Sequence, residues 1–301
     1  MKLTILGTGS ATPTLLRNPS AQILSTDFEK FLIDCGEGTQ NQLLRNKIKV
    51  GKIKNIFISH LHGDHYFGLI GLISSLNLSH RTEPLTVFGP KGLDEAICLQ
   101  LKLAGTSLNF QLNFETLSTE VHYKIFENEH INIYTIPLIH RVPCCGFLFL
   151  EKPKLRSILA DKLPIGISTS EIKQLKEGKN IFNDNTTIKY NFLELTTEPL
   201  KQKSFAYCSD TIFNTEIVNY LKNVSLLYHE ATFKNEHSER AKSTFHSTAA
   251  QAAEIAKTSK VDKLLIGHFS SRYIDLSENL IEAQAVFKNT ELAIENETYI
   301  I

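Results

Sequence analysis

The chain has 301 residues, and its 32 Lys and Arg balance its 32 Asp and Glu, so the formal net charge is zero. A hydrophobic fraction of 42% is enough for a globular core, and the balanced charge excludes a general nucleic-acid coat protein, so RNA binding would need locally concentrated positive charge. The five cysteines form no Cys-x-x-Cys pair, and we expect them to be reduced thiols of a cytoplasmic protein. We expect no signal peptide, because MKLTILGTGS lacks a long apolar stretch with a cleavage site, and no apolar run reaches the ~20 residues of a membrane span.

The first half of the chain alternates predicted strands and helices. Apolar or alternating runs, most of them ended by glycine, predict strands over KLTILG, AQILST, KFLIDCG, IKNIFIS and LTVFGP. Apolar residues at helical spacing predict helices over EGTQNQLLRN, YFGLIGLISSLNL and GLDEAICLQLKLAG.

The second half repeats this alternation. Strands are predicted over INIYTIPLIH, SFAYCSD, VSLLYHEATF and VDKLLIGHF, and a helix over TAAQAAEIAKTS, with Ser247 or Thr248 placed to cap its start. Alternating strands and helices favour an α/β fold with helices outside the sheets. The segment from about 151 to 195 is polar, Lys-rich and weakly periodic, so we expect it to lie outside the core as an insertion or a protruding arm.

Four potential metal ligands fall within six residues directly after the strand predicted over IKNIFIS: His60, His62, Asp64 and His65. A tight turn there would direct their side chains into one cavity. Imidazole and carboxylate groups suit Zn²⁺. A single histidine at a strand end is usually structural, but this H-x-H-x-D-H pattern predicts a metal site.

Three further candidates stand where other predicted strands end. His140 follows INIYTIPLI, Asp210 follows FAYCS, and His268 follows DKLLIG. We predict that all three join the metal site. The remaining histidines among polar residues are expected at the solvated surface: His80, His122, His130 and His237. His229 is expected to pack near the site without being a ligand.

The motif HLHGDH, followed three residues later by Gly68, resembles the signature of the metallo-β-lactamase superfamily. A narrower resemblance is to ribonuclease Z, also called tRNase Z, and it is carried by ILGTGSATPT, NPSA, FLIDCGEGTQNQL, HEATF, FHST and GHFSSRY. These motifs cover nearly the whole chain. The resemblance implies an αββα sandwich, in which two mixed sheets carry helices on their outer faces, as a single domain over 1–301 with an inserted tRNA-binding arm over about 151–195.

The resemblance also implies the activity and the cofactor. We expect a zinc-dependent endoribonuclease that removes the 3′ trailer from precursor tRNA and leaves a 3′-hydroxyl on the tRNA and a 5′-phosphate on the trailer. One Zn²⁺ is expected on His60, His62 and His140, a second on Asp64, His65 and His268, with Asp210 bridging them. Mn²⁺ is an alternative metal. The net positive charge of such a site would attract a phosphodiester and stabilise its transition state.

Further roles follow from the same resemblance. Asp64 is expected to be the general base, while Glu230 and His246 would protonate the leaving 3′-oxygen, because a carboxylate beside an imidazole raises its pKa. Asp34 is expected to position the metal loop. Candidate phosphate contacts are Ser247, Thr248 and Arg272, for which ordinary helix capping and a surface arginine are the alternatives.

The expected arm would hold the tRNA far from the cut, through phosphate contacts that do not read sequence. Its positive residues are Lys152, Lys154, Arg156, Lys162, Lys173, Lys176 and Lys179. Bacterial members usually have a Gly-Pro-rich turn before an L-K-x-G stretch, whereas LPIGISTSEIKQLKEG keeps LKEG and has Ser-Thr-Ser instead of that turn. The resemblance also implies a homodimer without a membrane partner.

Two other classes of function stay open. The metal motif alone fits other hydrolases of the superfamily, such as a small-substrate phosphodiesterase, a 3′ exonuclease, a lactonase or a thioesterase. The Glu230–His246 pair and the basic arm favour the RNA enzyme, because a thioesterase needs neither. A non-catalytic RNA-binding protein is the more distant alternative, since it would be expected to have lost ligands and all seven positions are filled.

Overall fold

The computed structural model describes all 301 residues, and its core contains two seven-stranded sheets. The strands of the first sheet are β1 (Lys2–Gly7), β2 (Ala21–Ser25), β3 (Lys30–Ile33), β4 (Ile53–Phe57), β5 (Leu85–Pro90), β6 (Leu112–Leu117) and β18 (Thr298–Ile300). Their order is β18-β1-β2-β3-β4-β5-β6. The sheet is mixed, because β18, β1, β2 and β3 pair antiparallel and the pairs from β3 to β6 are parallel.

The second sheet is also mixed. Its strands are β7 (Lys124–Glu127), β8 (Ile131–Leu138), β9 (Cys144–Glu151), β14 (Ser204–Cys208), β15 (Leu226–Glu230), β16 (Lys263–Gly267) and β17 (Thr290–Leu292). Their order is β17-β16-β15-β14-β9-β8-β7. The pairs from β14 to β17 are parallel, whereas β7 and β8 are antiparallel.

Phenylalanine rings fill the space between the two sheets. Phe57 of β4 stacks on Phe88 with ring centroids 4.7 Å apart and meets Phe147 of β9 edge-on at 5.4 Å. Phe31 of β3 lies 5.7 Å from Phe149 of β9. Aromatic pairs of this kind add about 0.5–1.5 kcal/mol each beyond the area that they bury.

Helices cover the outer faces of both sheets. The longer helices are α1 (Thr39–Arg45), α3 (Gly68–Leu78), α4 (Leu93–Leu103), α8 (Ala249–Ser259) and α9 (Ser277–Val286). Leucines and isoleucines of α1, α3 and α4 pack on the first sheet. The alanines of α8, among them Ala252 and Ala256, let this helix pack closely on the second sheet. The αββα arrangement implied by the resemblance is therefore confirmed.

The parallel strands end on the same side of their sheets, and the polar residues predicted to be functional follow those ends. In the first sheet, Asp34 follows β3 and His60 lies three residues after β4. In the second sheet, Asp210 lies two residues after β14, and His268 directly follows β16. Carboxyl ends of parallel strands are a usual place for ligand sites.

A second compact unit consists of 128–131 and 150–203. Its elements are β10 (Ser157–Ile158), α5 (Thr169–Lys176), β11 (Ile181–Phe182), β12 (Ile188–Tyr190), α6 (Phe192–Leu195) and β13 (Thr196–Thr197). Leu175, Ile181 and Leu195 form its small core. The unit extends beyond the segment 151–195, because Ser157 pairs with Thr197 and the chain leaves the unit only at Lys203.

The remaining helices are α2 (Gly63–Tyr66), inside the H-x-H-x-D-H segment, and α7 (Ser238–Thr244). Every predicted strand and helix is present, and all five cysteines are unpaired. One surface prediction needs correction, because His122 is half-buried and stacks between the rings of Tyr134 and Tyr220. No helix combines the length and the apolar character that crossing a bilayer requires.

Candidate metal centre and catalytic site

The seven residues predicted as metal ligands lie together, and they form two groups whose nitrogen and oxygen atoms are within 4.8 Å of one another. The first group is His60, His62, His140 and Asp210. His62 Nδ1 lies 3.1 Å from both His60 Nε2 and His140 Nε2. Three ring nitrogens thus converge on one point.

The second group is Asp64, His65 and His268. Asp64 Oδ2 lies 3.3 Å from His65 Nε2 and 3.4 Å from His268 Nε2. Asp210 lies between the groups: its Oδ1 is 3.4 Å from His65 Nε2 and 3.2 Å from His268 Nε2, while its Oδ2 is 3.6 Å from His60 Nε2. The carboxylate therefore faces both groups, one oxygen toward each.

Outer partners fix the imidazole rings. Nδ1 of His60, His140 and His268 contacts Ser59 Oγ at 3.0 Å, the Phe245 carbonyl oxygen at 2.9 Å and Thr232 Oγ1 at 2.8 Å, respectively. Such partners orient a ring and leave Nε2 to face inward, which is the usual environment of a metal-binding histidine.

Asp34 holds the first sheet's side of the site. It is completely buried and has φ +53°, a left-handed conformation that few non-glycine residues adopt. Its carboxylate lies 2.7 Å from His65 Nδ1 and accepts hydrogen bonds from the Ser59 N–H (2.7 Å) and the Tyr207 hydroxyl (2.6 Å). Asp34 therefore lies where it can position His65, the role that the resemblance implies for it.

Close backbone packing also fixes the H-x-H-x-D-H segment. A Cβ on Gly36 would lie 2.3 Å from the Asp64 carbonyl oxygen, and one on Gly68 would lie 2.1 Å from the Gly36 carbonyl oxygen. The Cys35 N–H also donates to the His65 carbonyl oxygen at 2.7 Å. The glycines are required here because another side chain would push the segment away from β3.

The donor set fits a divalent metal. His65 Nε2 and Asp210 Oδ1 are buried and have no hydrogen-bond partner within the protein, which is costly unless another group satisfies them. The pKa of Asp210 is held well below its usual range, because the surrounding imidazoles outweigh the effect of burial. Buried imidazole nitrogens around an ionised carboxylate suit borderline-soft divalent ions.

Glu230 and His246 form a pair beside this centre. Glu230 is fully buried at the end of β15, and its Oε1 lies 2.9 Å from His246 Nδ1. Oε1 also accepts the Thr211 N–H at 3.0 Å, and Oε2 accepts the N–H (3.0 Å) and hydroxyl (2.7 Å) of Thr232. Burial disfavours a charged imidazole, but the Glu230 carboxylate outweighs it and raises the pKa of His246 to about 9. The pair can therefore supply a proton.

His246 also lies near the metal groups. Its ring belongs to a third set of possible ligand atoms, together with Asp210 and His268. However, Nδ1 is 4.0 Å from Asp210 Oδ2 and only 2.9 Å from Glu230 Oε1. The geometry therefore favours pairing with Glu230 over metal binding.

A cavity of about 640 Å³ opens onto this centre. Metal-site and catalytic candidates in its wall are His62, Asp64, His140, Asp210, His246 and His268. Arg141, Arg240 and Arg272 also line it and are exposed, with Glu37 as the one exposed acid. The Arg272 guanidinium lies over the Phe233 ring, 5.1 Å from its centroid. Three exposed guanidiniums in a chain of zero net charge make this opening suitable for an anionic substrate.

Ser247 and Thr248 do not line the cavity. Both are completely buried; Ser247 Oγ donates to the Thr211 carbonyl oxygen, and Thr248 is the N-cap of α8 in a capping box with Gln251. Capping therefore falls to Thr248 and not to Ser247. Of the three candidate phosphate contacts, Arg272 alone reaches the cavity.

Sequence reasoning missed several residues of the site. Arg141 directly follows His140, so its position beside a predicted ligand was a usable signal. Arg240, Ser59 and Tyr207 carry no such signal, because only the packing of the chain brings them to the site. The Ala11 N–H, which donates to Asp64 Oδ2 at 2.7 Å, is equally invisible in the sequence.

Strand-end metal ligands on an αββα sandwich define a hydrolase of the metallo-β-lactamase fold, and comparisons with known proteins agree. A family model described as anti-Pycsar protein Apyc1 matches residues 1–192. A ribonuclease Z of Cytophaga hutchinsonii is 49% identical over 300 residues, which cover 100% of this chain and 96% of that protein. A ribonuclease Z of Bacteroides fragilis is 44% identical over 98% of this chain and 97% of that protein.

Solved structures give the same result. The short form of human tRNase Z superposes with a TM-score of 0.74 at 28% identity, covering 100% of this chain and 99% of that chain. A metallo-β-lactamase-fold protein of Bacillus subtilis, 17% identical over 99% of this chain and 98% of that chain, has a TM-score of 0.69 and supports the fold alone. The chain belongs to the ribonuclease Z family and is an endoribonuclease, which confirms the resemblance noted in its sequence.

Proposed function

We propose that this protein is a zinc-dependent endoribonuclease that removes the 3′ trailer from precursor tRNA, leaving a 3′-hydroxyl on the tRNA and a 5′-phosphate on the trailer. The observation that carries the proposal is the Glu230–His246 pair, which lies beside the metal-ligand groups in a chain that matches ribonuclease Z over its full length. A metal centre alone would fit many hydrolases. The neighbouring proton donor matches a poor leaving group such as a ribose oxygen.

The proposed cofactor is two Zn²⁺ per subunit, with Mn²⁺ as the alternative. His60, His62 and His140 would hold one ion, Asp64, His65 and His268 the other, and Asp210 would contact both. When bound, such a pair supplies a water of lowered pKa and neutralises charge on the phosphate. The unpartnered His65 Nε2 and Asp210 Oδ1 support this assignment.

The general-base role is proposed for Asp64. Its side chain lines the cavity, and its Oδ2 is held by the Ala11 N–H and faces His65 and His268. A carboxylate in this place can orient the attacking water and accept its proton.

The general-acid role is proposed for His246. Because Nδ1 faces Glu230, Nε2 is the nitrogen that remains for the cavity that His246 lines. A charged ring would donate its Nε2 proton to the ribose 3′-oxygen as the bond to phosphorus breaks. Glu230 keeps the ring oriented and stabilises its charge.

The proposed RNA contacts lie in two places. Arg141, Arg240 and Arg272 at the cavity would contact phosphates near the cut. The compact unit of 128–131 and 150–203 is proposed as the tRNA-binding arm, and the positive residues listed for the expected arm lie within it. Several of them are partly neutralised: Arg156 pairs with Glu198 and Lys179 with Glu177, both at 2.7 Å.

We further propose that the protein is a cytoplasmic homodimer. Leu44 of α1 and Leu78 of α3 are 63% and 80% exposed, and both line a surface cavity of about 320 Å³. Apolar residues of this kind favour contact with another protein surface. Light scattering coupled to gel filtration would measure the mass in solution, and a mass of one chain at micromolar concentration would contradict the dimer.

A small-substrate phosphodiesterase is the second candidate. The match of residues 1–192 to the family model of a differently named protein favours it. That match ends before Asp210, Glu230, His246 and His268, so it does not bear on the proposed proton donor.

The deciding experiment is cleavage of a 3′-extended precursor tRNA by the zinc-loaded protein, with Asp64→Ala beside it. A single cut near the discriminator base, abolished by the substitution, would support the proposed reaction. Stepwise shortening would identify a 3′ exonuclease instead. Intact RNA together with rapid hydrolysis of a small phosphodiester would reject the RNA substrate.

A further inference from the structure

Glu295 lies in the turn between β17 and β18, which carries the chain from one large sheet to the other. Its Oε1 accepts the backbone N–H groups of Thr8 (3.1 Å) and Asn18 (2.7 Å) and the Thr8 hydroxyl (3.3 Å). Its Oε2 accepts Asn18 Nδ2 (2.5 Å) and Gln42 Nε2 (3.4 Å). Five donors thus converge on one half-buried carboxylate.

Thr8 and Asn18 are the two ends of the loop that follows β1. The Gly9 N–H donates to the Asn18 carbonyl oxygen at 2.9 Å, which closes the base of this loop. Because one carboxylate binds both ends, Glu295 fixes their separation and orientation. A hydrogen bond to a charged group is worth about 1.5–3 kcal/mol, more than one between neutral groups.

The loop reaches the metal centre through Ala11, three residues after Thr8. The Ala11 N–H donates to Asp64 Oδ2 at 2.7 Å, and the same oxygen faces His65 Nε2 and His268 Nε2. Ala11 has φ +40°, a conformation that costs energy for a residue with a side chain and persists only when its surroundings impose it.

The other end of the loop braces the segment after His268. Arg17 Nη2 donates to the carbonyl oxygens of Ser270 (3.1 Å) and Tyr273 (2.6 Å). In addition, the Ser10 N–H donates to the Phe269 carbonyl oxygen at 3.1 Å. The loop anchored by Glu295 therefore contacts Asp64 directly and borders His268.

We infer that Glu295 is a positioning residue for the reaction: it sets the loop from Thr8 to Asn18 so that the Ala11 amide holds the Asp64 carboxylate in place. The inference rests on the role proposed for Asp64. Glu295 itself touches neither the cavity nor any ligand candidate, so its effect on the reaction passes through the loop.

The substitution Glu295→Gln tests this inference. Glutamine keeps the shape of the side chain, but its amide presents one acceptor oxygen and an NH₂ donor, so several of the five donors lose their acceptor. The matched control is Glu297→Gln in the same turn, which removes the same charge; the Glu297 carboxylate contacts only the Tyr299 hydroxyl, at 3.5 Å.

Two measurements are needed. Hydrogen exchange followed by mass spectrometry reports the protection of the peptide that contains residues 8–18 without requiring activity. Hydrolysis of bis(p-nitrophenyl) phosphate by the zinc-loaded variants separates kcat from KM. For Glu295→Gln we expect at least about tenfold faster exchange in this peptide and at least about tenfold lower kcat with KM within about twofold, because small misplacement of a reacting group is costly. Glu297→Gln is expected to match the wild type in both measurements.

Unchanged loop protection, or an unchanged kcat in the folded variant, would overturn the inference. If Glu295→Gln does not fold, Asn18→Ala removes only the contact to Oε2 and should show smaller changes in the same direction. Wild-type exchange and kcat in Asn18→Ala would then reject it. The small substrate keeps this test separate from the tRNA proposal: a wild type that cleaves the small diester but not precursor tRNA would refute the substrate and leave the role of Glu295 standing.

Discussion

Replacing His246 with alanine should slow RNA cleavage strongly without preventing folding or metal binding. The side chain is 16% exposed, and its structural contact is the hydrogen bond between Nδ1 and Glu230 Oε1. After truncation, Oε1 still accepts the Thr211 N–H and Oε2 still accepts two donors from Thr232. Glu230 therefore keeps three of its four hydrogen bonds, and the folded state should persist.

The size of the effect follows from the step that His246 is proposed to perform. General acid catalysis contributes about 10²–10⁴-fold, so kcat on precursor tRNA should fall by that factor, or about 2.7–5.5 kcal/mol of transition-state stabilisation at 1.36 kcal/mol per tenfold. A p-nitrophenolate leaves without being protonated. On bis(p-nitrophenyl) phosphate the same variant should therefore lose less than about tenfold in kcat.

The assay compares both substrates under single-turnover conditions, with zinc content measured for each protein. His237→Ala is the matched control, because His237 is a half-buried histidine that contacts the Tyr273 hydroxyl outside the cavity. Equal losses on both substrates would refute the leaving-group role. Lower zinc content in the variant would instead make His246 a metal ligand together with Asp210 and His268.

Three further predictions concern the cavity and the metal loop. The double variant Arg141→Ala/Arg240→Ala should raise KM for precursor tRNA about tenfold and reduce the salt dependence of binding by about two phosphate contacts, whereas its kcat/KM on a small diester should stay within about twofold; an unchanged salt slope would contradict the proposed contacts. Removing metal with a chelator should abolish cleavage and lower the melting temperature by several degrees, because His65 Nε2 and Asp210 Oδ1 are then buried without a partner; calorimetry with and without added Zn²⁺ measures this, and equal melting temperatures would argue against a metal there. Gly68→Ala should cost more than about 2 kcal/mol in the free energy of unfolding and lower zinc content, since its Cβ would lie 2.1 Å from the Gly36 carbonyl oxygen; wild-type stability in a urea titration would show that the loop can shift freely.

Much of the secondary structure could be read from the sequence because the apolar runs end sharply. The strand predicted over IKNIFIS is β4, and the helix over TAAQAAEIAKTS is α8. The strand β9 and the helix α9 carried no such prediction, and β17 and β18 have three residues each. Strands this short have almost no intrinsic stability and exist because neighbouring strands pair with them.

The site divides in the same way. Seven predicted ligands lie in two groups, and the Glu230–His246 pair lies beside them, although the roles of these residues stay predictions. The expected hydroxyl contacts to phosphate illustrate the limit of sequence reasoning. Ser247 and Thr248 stand at a helix start in the sequence, but packing buries both hydroxyls and turns them to partners inside the protein.

The sequence by itself determined the family, the sheet-and-helix alternation and the H-x-H-x-D-H segment, because these depend on residues that are neighbours along the chain. The tertiary structure alone decided how that segment is held: Asp34 contacts His65, the Ala11 amide contacts Asp64, and Glu295 binds both ends of the loop that carries Ala11. Glu295 is 277 residues away from Asn18 in sequence. No local pattern encodes a contact of that kind, since it forms only when the turn after β17 returns the chain to the first sheet and places a carboxylate beside backbone donors from the other end of the chain.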